Sequence, residues 1–164
     1  MSLSKRCEYA LRALACLAEA QMDGVPPLRV WEIAERQNLP ASFLNQILLQ
    51  LKEAGWVKTL RGKRGGTLLA KPAAEIGVGE IIRLVDGPLA PLSCVSKTAY
   101  ARCSCPDETT CGLRRVMLQA QDALLEVLEQ RTVADLVSES GVAGGPSCAD
   151  PVGLRPQRER RVGG

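Results

Sequence analysis

The apolar residues of this chain recur mainly at the spacing of an α-helix, at positions i, i+3, i+4 and i+7. This spacing predicts six helical segments, at about 4–20, 29–37, 41–54, 78–85, 112–130 and 133–137. Ser4 is a suitable N-cap for the first segment, and Gly55 suits the position that ends the third. The fold class is therefore predicted to be mainly α.

Two short runs rich in β-forming residues, 56–60 and 67–70, flank a basic, glycine-rich tip at 61–66. This arrangement predicts a β-hairpin. The helices at 29–37 and 41–54 come just before it and are joined by a short turn, which is the layout of a helix-turn-helix. Together these elements predict a winged helix-turn-helix with a small β-hairpin wing. A Walker-type phosphate loop is a poor match, because neither a Gly-Lys-Ser/Thr sequence nor a helix follows the tip.

Charge is unevenly distributed along the chain. The net charge is only +3, but residues 1–70 contain 10 Lys and Arg against 6 Asp and Glu, whereas residues 71–138 contain 7 against 9. A basic excess around the predicted winged helix is typical of a protein that binds nucleic acid. No apolar run approaches the roughly 18 residues of a membrane span, and the first residues lack a signal-peptide pattern. We therefore expect a cytoplasmic protein without a membrane partner.

Polar side chains occupy the face of the helix 41–54 that its apolar stripe leaves free. The residues on this face, several of them able to hydrogen-bond to bases or phosphates, are Ser42, Phe43, Asn45, Gln46 and Gln50. The cations of the predicted wing tip are Arg61, Lys63 and Arg64. Glycines between these cations would let the backbone approach a phosphate or a narrow minor groove. Each set taken alone could be ordinary solvated surface, but their succession favours DNA binding.

The chain has seven cysteines and no histidine. Without histidine, Ser-His-Asp triads, His-ligated zinc sites and Rieske-type clusters are excluded, so an enzyme is not expected. Four cysteines lie in the predicted loop 88–112, at Cys94, Cys103, Cys105 and Cys111. In a reducing cytoplasm such a group indicates an iron–sulfur cluster, a thiol switch or a zinc site rather than structural disulfides. Their spacing lacks the regularly paired cysteines of zinc knuckles.

Several sequence motifs resemble those of one regulator family. They are Ser42-Phe-Leu-Asn-Gln-Ile47, Leu51-Lys-Glu-Ala-Gly55, Arg61-Gly62 with Gly65-Gly66, and Val78-Gly-Glu-Ile-Ile82 with Asp86-Gly87. From about residue 1 to 137, this series resembles the Rrf2 family of winged helix-turn-helix transcription regulators, of the IscR/NsrR type. The resemblance implies a homodimer in which the long C-terminal helix 112–130 pairs across the two-fold axis. The apolar stripe of that helix independently favours a dimerisation helix.

The resemblance also implies which residues contact operator DNA. Ser42, Phe43, Asn45 and Gln46 would meet the major groove, and Arg61 would meet the minor groove. In some members position 45 is acidic and tunes sequence preference. Asn45 therefore implies a different base preference in this chain.

In the resembling family, three cysteines of the loop ligate a 2Fe–2S or 4Fe–4S cluster. Cys94, Cys105 and Cys111 match them, while Cys103 is an additional thiol in a longer loop. Some members use a histidine as fourth ligand at the position where this chain has Arg114. The remaining candidates for the fourth ligand are, in order, Glu8 of the partner subunit, Cys103 and Cys7.

These expectations divide the chain into a winged-helix DNA-binding domain at 1–90, a cysteine-rich cluster-binding loop at 91–112, a dimerisation helix at 113–138 and a disordered tail at 139–164. The expected function is a transcription regulator whose operator affinity is controlled by an iron–sulfur cluster that senses redox state, nitric oxide or iron and sulfur status. One alternative is a regulator without a cluster, controlled by thiol/disulfide switching or by a partner protein. Another is an electron-transfer or cluster-carrier protein that uses the wing only as scaffold.

Overall fold

A computed structural model describes residues 2–25 and 27–140 of the chain. The helices and strands in these ranges are α1 Lys5–Met22, α2 Val30–Gln37, α3 Ala41–Glu53, β1 Val57–Leu60, β2 Gly66–Leu69, α4 Val78–Asp86, α5 Gly112–Glu129 and α6 Val133–Ser140. A mainly helical fold with one small antiparallel sheet confirms the predicted fold class. Within the same ranges, no helix has the length and apolar content needed to cross a membrane.

α1 is the central helix, and it contacts α2, α3, α4, α6 and β2. It begins at Lys5 because Ser4 caps it, as predicted: Ser4 Oγ accepts a hydrogen bond from the backbone N–H of Cys7 at 3.1 Å. Its fully buried side chains include three small ones, Ala10, Ala13 and Ala18, which let the neighbouring elements pack closely around it.

α2 and α3 form the helix-turn-helix. Asn38 ends α2 in the left-handed conformation, with φ of 51°, which asparagine adopts more readily than most residues. Gly55 follows the end of α3 with φ of 77°, so it performs its predicted role at the helix end. The buried residues of α3 are Leu44, Ile47, Leu48 and Leu51. The opposite face of α3 is therefore free to meet solvent or a ligand.

β1 and β2 form the wing, and their register pairs Leu60 with Gly66 next to the tip. Leu28 joins β2 through a short bridge. The N–H of Leu28 donates to Thr67 O at 3.0 Å, and the N–H of Thr67 donates to Leu28 O at 2.7 Å. This bridge ties the segment before α2 to the wing, so the wing is held in a fixed orientation to the helix-turn-helix.

α4 and α6 pack against α1, and α5 packs against α4. The α5 contact is made by Leu125 and Leu128 on a small apolar cluster that contains Cys7, Val78, Ile82 and Leu89. α6 belongs to the main core instead. Its first residue, Val133, is fully buried and donates a backbone hydrogen bond to Ile76 O at 2.9 Å. The segment 113–138 thus holds the two helices predicted at 112–130 and 133–137, and the second of them, α6, packs within the subunit.

The predicted disordered tail begins at residue 139, but α6 continues to Ser140. Residues 139 and 140 are helical because they complete the last turn of a helix that packs against α1. The remainder of the predicted tail, residues 141–164 with Cys148, lies outside the described residues.

Candidate nucleic-acid interface and cysteine cavity

The outer face of α3 presents the polar side chains that the sequence singled out. Ser42, Asn45 and Gln46 are exposed. Asn45 Nδ2 donates to Ala41 O at 3.1 Å, and the side-chain oxygen of Asn45 takes no part in this hydrogen bond. Gln50, also expected on this face, instead turns to α4, where its Nε2 donates to Leu84 O at 3.2 Å.

Phe43 differs from its neighbours on α3. It is half-buried and packs against the main core. Its ring meets the ring of Tyr9 edge to face, with centroids 5.9 Å apart and an interplanar angle of 86°. Phe43 therefore supports the packing of α3 on α1, and only its exposed part is available to a ligand.

The wing tip presents Arg61, Lys63 and Arg64, and all three are exposed. The tip is a tight turn in which the N–H of Gly65 donates to Gly62 O at 2.9 Å, with φ of 104° at Gly62. Glycine is needed at position 62, because few other residues adopt this backbone conformation. The three cations are thus held on a short, well-defined hairpin end.

A groove separates the wing tip from the first turn of α2. It has a volume of about 470 Å³ and is lined by Pro27, Arg29, Trp31, Glu32, Lys63, Arg64 and Gly65. One guanidinium nitrogen of Arg29 donates to Lys63 O at 3.1 Å. Sequence reasoning missed Arg29 and Trp31. The available signal was a tryptophan in a short helix whose buried residues are Ile33 and Ala34.

The four loop cysteines surround one cavity. Cys94, Cys103, Cys105 and Cys111 line it together with Arg114, and its volume is about 220 Å³. The sulfur atoms of Cys105 and Cys111 are 3.8 Å apart, and the N–H of Cys105 donates to Cys103 Sγ at 3.3 Å. Within residues 2–25 and 27–140, no group of three or more His, Cys, Asp or Glu side chains is close enough together to hold a single metal ion.

Polar contacts fix the cysteine loop to itself and to α5. The N–H of Cys103 donates to Glu108 Oε1 at 2.9 Å, and Cys111 Sγ caps α5 by accepting from the N–H of Arg114 at 3.4 Å. Arg114 Nε donates to Cys94 O at 3.2 Å. Arg114 thus connects the first and the last of these cysteines, a role that sequence position alone did not indicate.

The pKa values of the cavity thiols shift in opposite directions. The pKa of Cys111 is lowered, first because the N–H of Arg114 donates to its sulfur. The pKa of Cys105 is raised to about 12, first through the hydrogen bond of its side chain with Cys103 and then through that with Cys111. Burial raises the pKa of Cys94. Of these three, Cys111 is the thiol that most readily becomes a thiolate, the form that binds metal.

The other candidates for ligation lie on α1. The carboxylate of Glu8 is paired with Lys5 at 2.6 Å and with Arg12 at 3.3 Å, and it does not line the cysteine cavity of its own chain. Cys7 is fully buried in the apolar cluster beneath α4. Burial, and next the nearby Asp86, raise the pKa of Cys7 to about 11, so the thiol stays protonated at neutral pH.

α5 exposes part of its predicted apolar stripe. Leu113, Val116 and Val127 are each more than half exposed, while Leu128 packs on the second apolar cluster. The helix thus has an inner face that packs on its own subunit and an outer apolar face without a partner among the described residues.

Comparison with known proteins identifies relatives over almost the whole described chain. The family described as "Rrf2: Iron-dependent Transcriptional regulator" matches residues 3–139. An rrf2-like HTH-type transcriptional regulator of Rhodobacter capsulatus is 38% identical over 147 residues, covering 88% of this chain and 95% of that protein.

The solved structures that are similar to this chain include those of two named regulators. The structure of CymR, the global cysteine regulator of B. subtilis, has a TM-score of 0.71 and 29% identity, and the match covers 85% of this chain and 98% of that chain. The structure of T. potens IscR has a TM-score of 0.67 and 27% identity, over 89% and 93% of the two chains. On this family match and these relatives, the chain belongs to the Rrf2 family of DNA-binding transcriptional regulators and is not an enzyme.

Proposed function

We propose that this protein is a homodimeric regulator of the cytoplasm whose affinity for operator DNA is controlled by an iron–sulfur cluster. The observation that carries the proposal is the single cavity lined by all four loop cysteines beside the start of α5. Thiolates are the ligands that iron–sulfur clusters use, and clustering on one loop lets several of them converge. Cys94, Cys105 and Cys111 would hold the cluster, with Glu8 of the partner subunit or Cys103 as the fourth ligand.

DNA would be bound by α3 and the wing of each subunit. Ser42, Asn45, Gln46 and the exposed part of Phe43 would meet base edges in the major groove. Arg61 would enter the minor groove, while Lys63 and Arg64 would contact phosphates. The exposure of these polar and basic groups on two neighbouring elements supports this arrangement.

The outer face of α5 would form the dimer interface. Leu113, Val116 and Val127 are exposed at a helical spacing, which is costly for a helix that remains in water. Pairing with the same face of a second subunit would bury them, and it would place two copies of α3 and the wing on one two-fold axis.

The residues of this chain also provide a route from the cysteine loop to α3. Arg114 and Cys111 join the loop to α5, and Arg83 of α4 is paired with Glu129 of α5. Gln50 then joins α3 to α4. A bound cluster would supply a link among the loop thiolates that oxidants, nitric oxide or iron loss can break. A loop released from this link would bias α5, α4 and α3 towards a second arrangement with a different operator affinity.

Anaerobic isolation of the full chain tests the cluster. We expect a coloured protein with visible absorbance and acid-labile sulfide, both lost in Cys105→Ala and Cys111→Ala. Cys16→Ala is the matched control, because Cys16 is buried in the main core and does not line the cavity. A colourless protein that carries stoichiometric zinc would refute the proposal.

A second candidate function replaces the cluster with a thiol switch. The separation of 3.8 Å between the sulfurs of Cys105 and Cys111 favours it, since a small movement would let them form a disulfide. Diamide would accept the two electrons and two protons that the thiols release. Under this alternative, the oxidised protein carries a Cys105–Cys111 disulfide, detected by peptide mass spectrometry, and its DNA affinity changes only when both thiols are present.

A further inference from the structure

The groove between α2 and the wing tip combines basic groups with an exposed tryptophan. Arg29, Lys63 and Arg64 contribute three cations to its lining. Among the described residues that line it, Glu32 is the only acidic one. The carboxylate of Glu32 is engaged, because it accepts the backbone N–H of Arg29 at 2.6 Å. The groove therefore has a positive balance, which suits a polyanion.

Trp31 gives the groove an apolar wall. It is 51% exposed and takes no part in either apolar core cluster. Tryptophan is enriched at binding interfaces, because its large apolar ring carries an N–H that can donate a hydrogen bond. Its flat ring suits the sugar of a nucleic acid, while the neighbouring cations suit the phosphates that flank that sugar.

Arg29 also fixes the shape of the groove. Its side chain begins at the N-cap of α2 and donates to Lys63 O in the wing tip. The Leu28–Thr67 bridge lies at the base of the same region. The two walls are thus held together in the free protein, so that little ordering is needed when a ligand enters.

We propose that this groove binds the sugar–phosphate backbone of duplex DNA beside the base pairs that the wing contacts. Arg29 and Arg64 contact phosphates, and Trp31 packs against a deoxyribose. The groove extends the DNA footprint of each subunit with contacts that do not depend on base sequence. This inference rests on the proposed DNA binding by α3 and the wing.

The inference is tested by fluorescence anisotropy of the full chain with a random-sequence duplex. The duplex has about 30 base pairs, because that length spans two half-sites one helical turn apart. We expect Trp31→Ala to weaken binding at least about fivefold, through lost apolar contact. In a salt series, Arg29→Gln reduces the slope of log K against log salt by about 0.9 per lost phosphate contact. Arg131→Gln is the matched control; it removes the same charge at the junction of α5 and α6 and leaves both affinity and slope unchanged.

Acrylamide quenching of the wild-type protein gives a readout that needs no variant. Trp56 is buried, so the quenchable tryptophan fluorescence comes from Trp31. DNA is expected to protect it. One outcome overturns the inference and leaves the proposed function standing. In that outcome the wild type binds the duplex and Arg61→Gln weakens binding. Trp31→Ala and Arg29→Gln bind like wild type, however, and DNA does not change the quenching. If the folded wild type binds no DNA, both are overturned.

Discussion

Gly66 lies where the wing approaches the segment before α2. A Cβ at this position would come 2.5 Å from Pro27 O, and the Leu28–Thr67 bridge leaves the backbone little freedom to move away. We expect Gly66→Ala to lower the free energy of unfolding by about 1–3 kcal/mol, measured by urea denaturation. Gly112→Ala is the control, because nothing lies within 4 Å of a Cβ there. Equal losses of stability in the two variants would contradict the close approach.

The cysteines are expected to differ in reactivity with pH in the metal-free protein. The lowered pKa of Cys111 means that its thiolate forms below the pH at which an ordinary thiol ionises, so alkylation begins there. Cys105, with its pKa raised to about 12, reacts only as the pH rises further. Cys7, buried and with a pKa of about 11, stays unmodified while the protein is folded. Iodoacetamide labelling followed by peptide mass spectrometry measures this order, and early labelling of Cys7 would be inconsistent with it.

Single residues could be predicted from the sequence where a local pattern decides their role. Ser4 and Gly55 satisfy the ends of helices, which depends only on their immediate neighbours. Phe43 could be placed on α3, but its contact with Tyr9 depends on how α1 and α3 pack. Trp31 likewise becomes part of a groove only because the wing returns beside it.

The helices and the wing could be predicted because each buries one periodic face. The cysteine loop could not be derived in this way, because it has no period and its shape depends on individual polar contacts. Glu108 holds the N–H of Cys103 and the hydroxyl of Tyr100, and Arg114 reaches back to Cys94. Sequence spacing therefore indicated the thiols, while their convergence on one cavity needed the structure.

α5 carries a prediction about assembly. Val116 is 56% exposed, so a charge at this position costs the isolated subunit little. In a dimer joined through this face, Val116→Glu buries two carboxylates without partners. We expect the variant to be a folded monomer by light scattering, with helical circular dichroism unchanged. Arg115→Gln is the control, since it changes the net charge by the same amount at an exposed α5 residue that is not part of the apolar stripe. A Val116→Glu variant that stays dimeric would argue for a different interface.

At the scale of the whole molecule, the ion pair between Arg83 and Glu129 connects α4 to α5. It is partly exposed, so we expect Arg83→Gln to change stability by no more than about 1 kcal/mol. Its effect on regulation should be larger, because the proposed route from the cysteine loop to α3 runs through α5 and α4. The difference in DNA affinity between cluster-loaded and cluster-free protein should shrink in Arg83→Gln and persist in Arg131→Gln. An undiminished difference would exclude this contact from the route.

Under the proposed function, the cysteine cavity controls the binding of DNA by α3 and the wing. For the most direct measurement, the anaerobic protein first selects a preferred duplex from a random pool. This duplex is then titrated, at one salt concentration, with the same protein preparation before and after removal of the cluster. We expect affinities that differ at least about tenfold, equivalent to about 1.4 kcal/mol. Equal affinities of a demonstrably loaded and a cluster-free protein would show that the cavity does not control DNA binding.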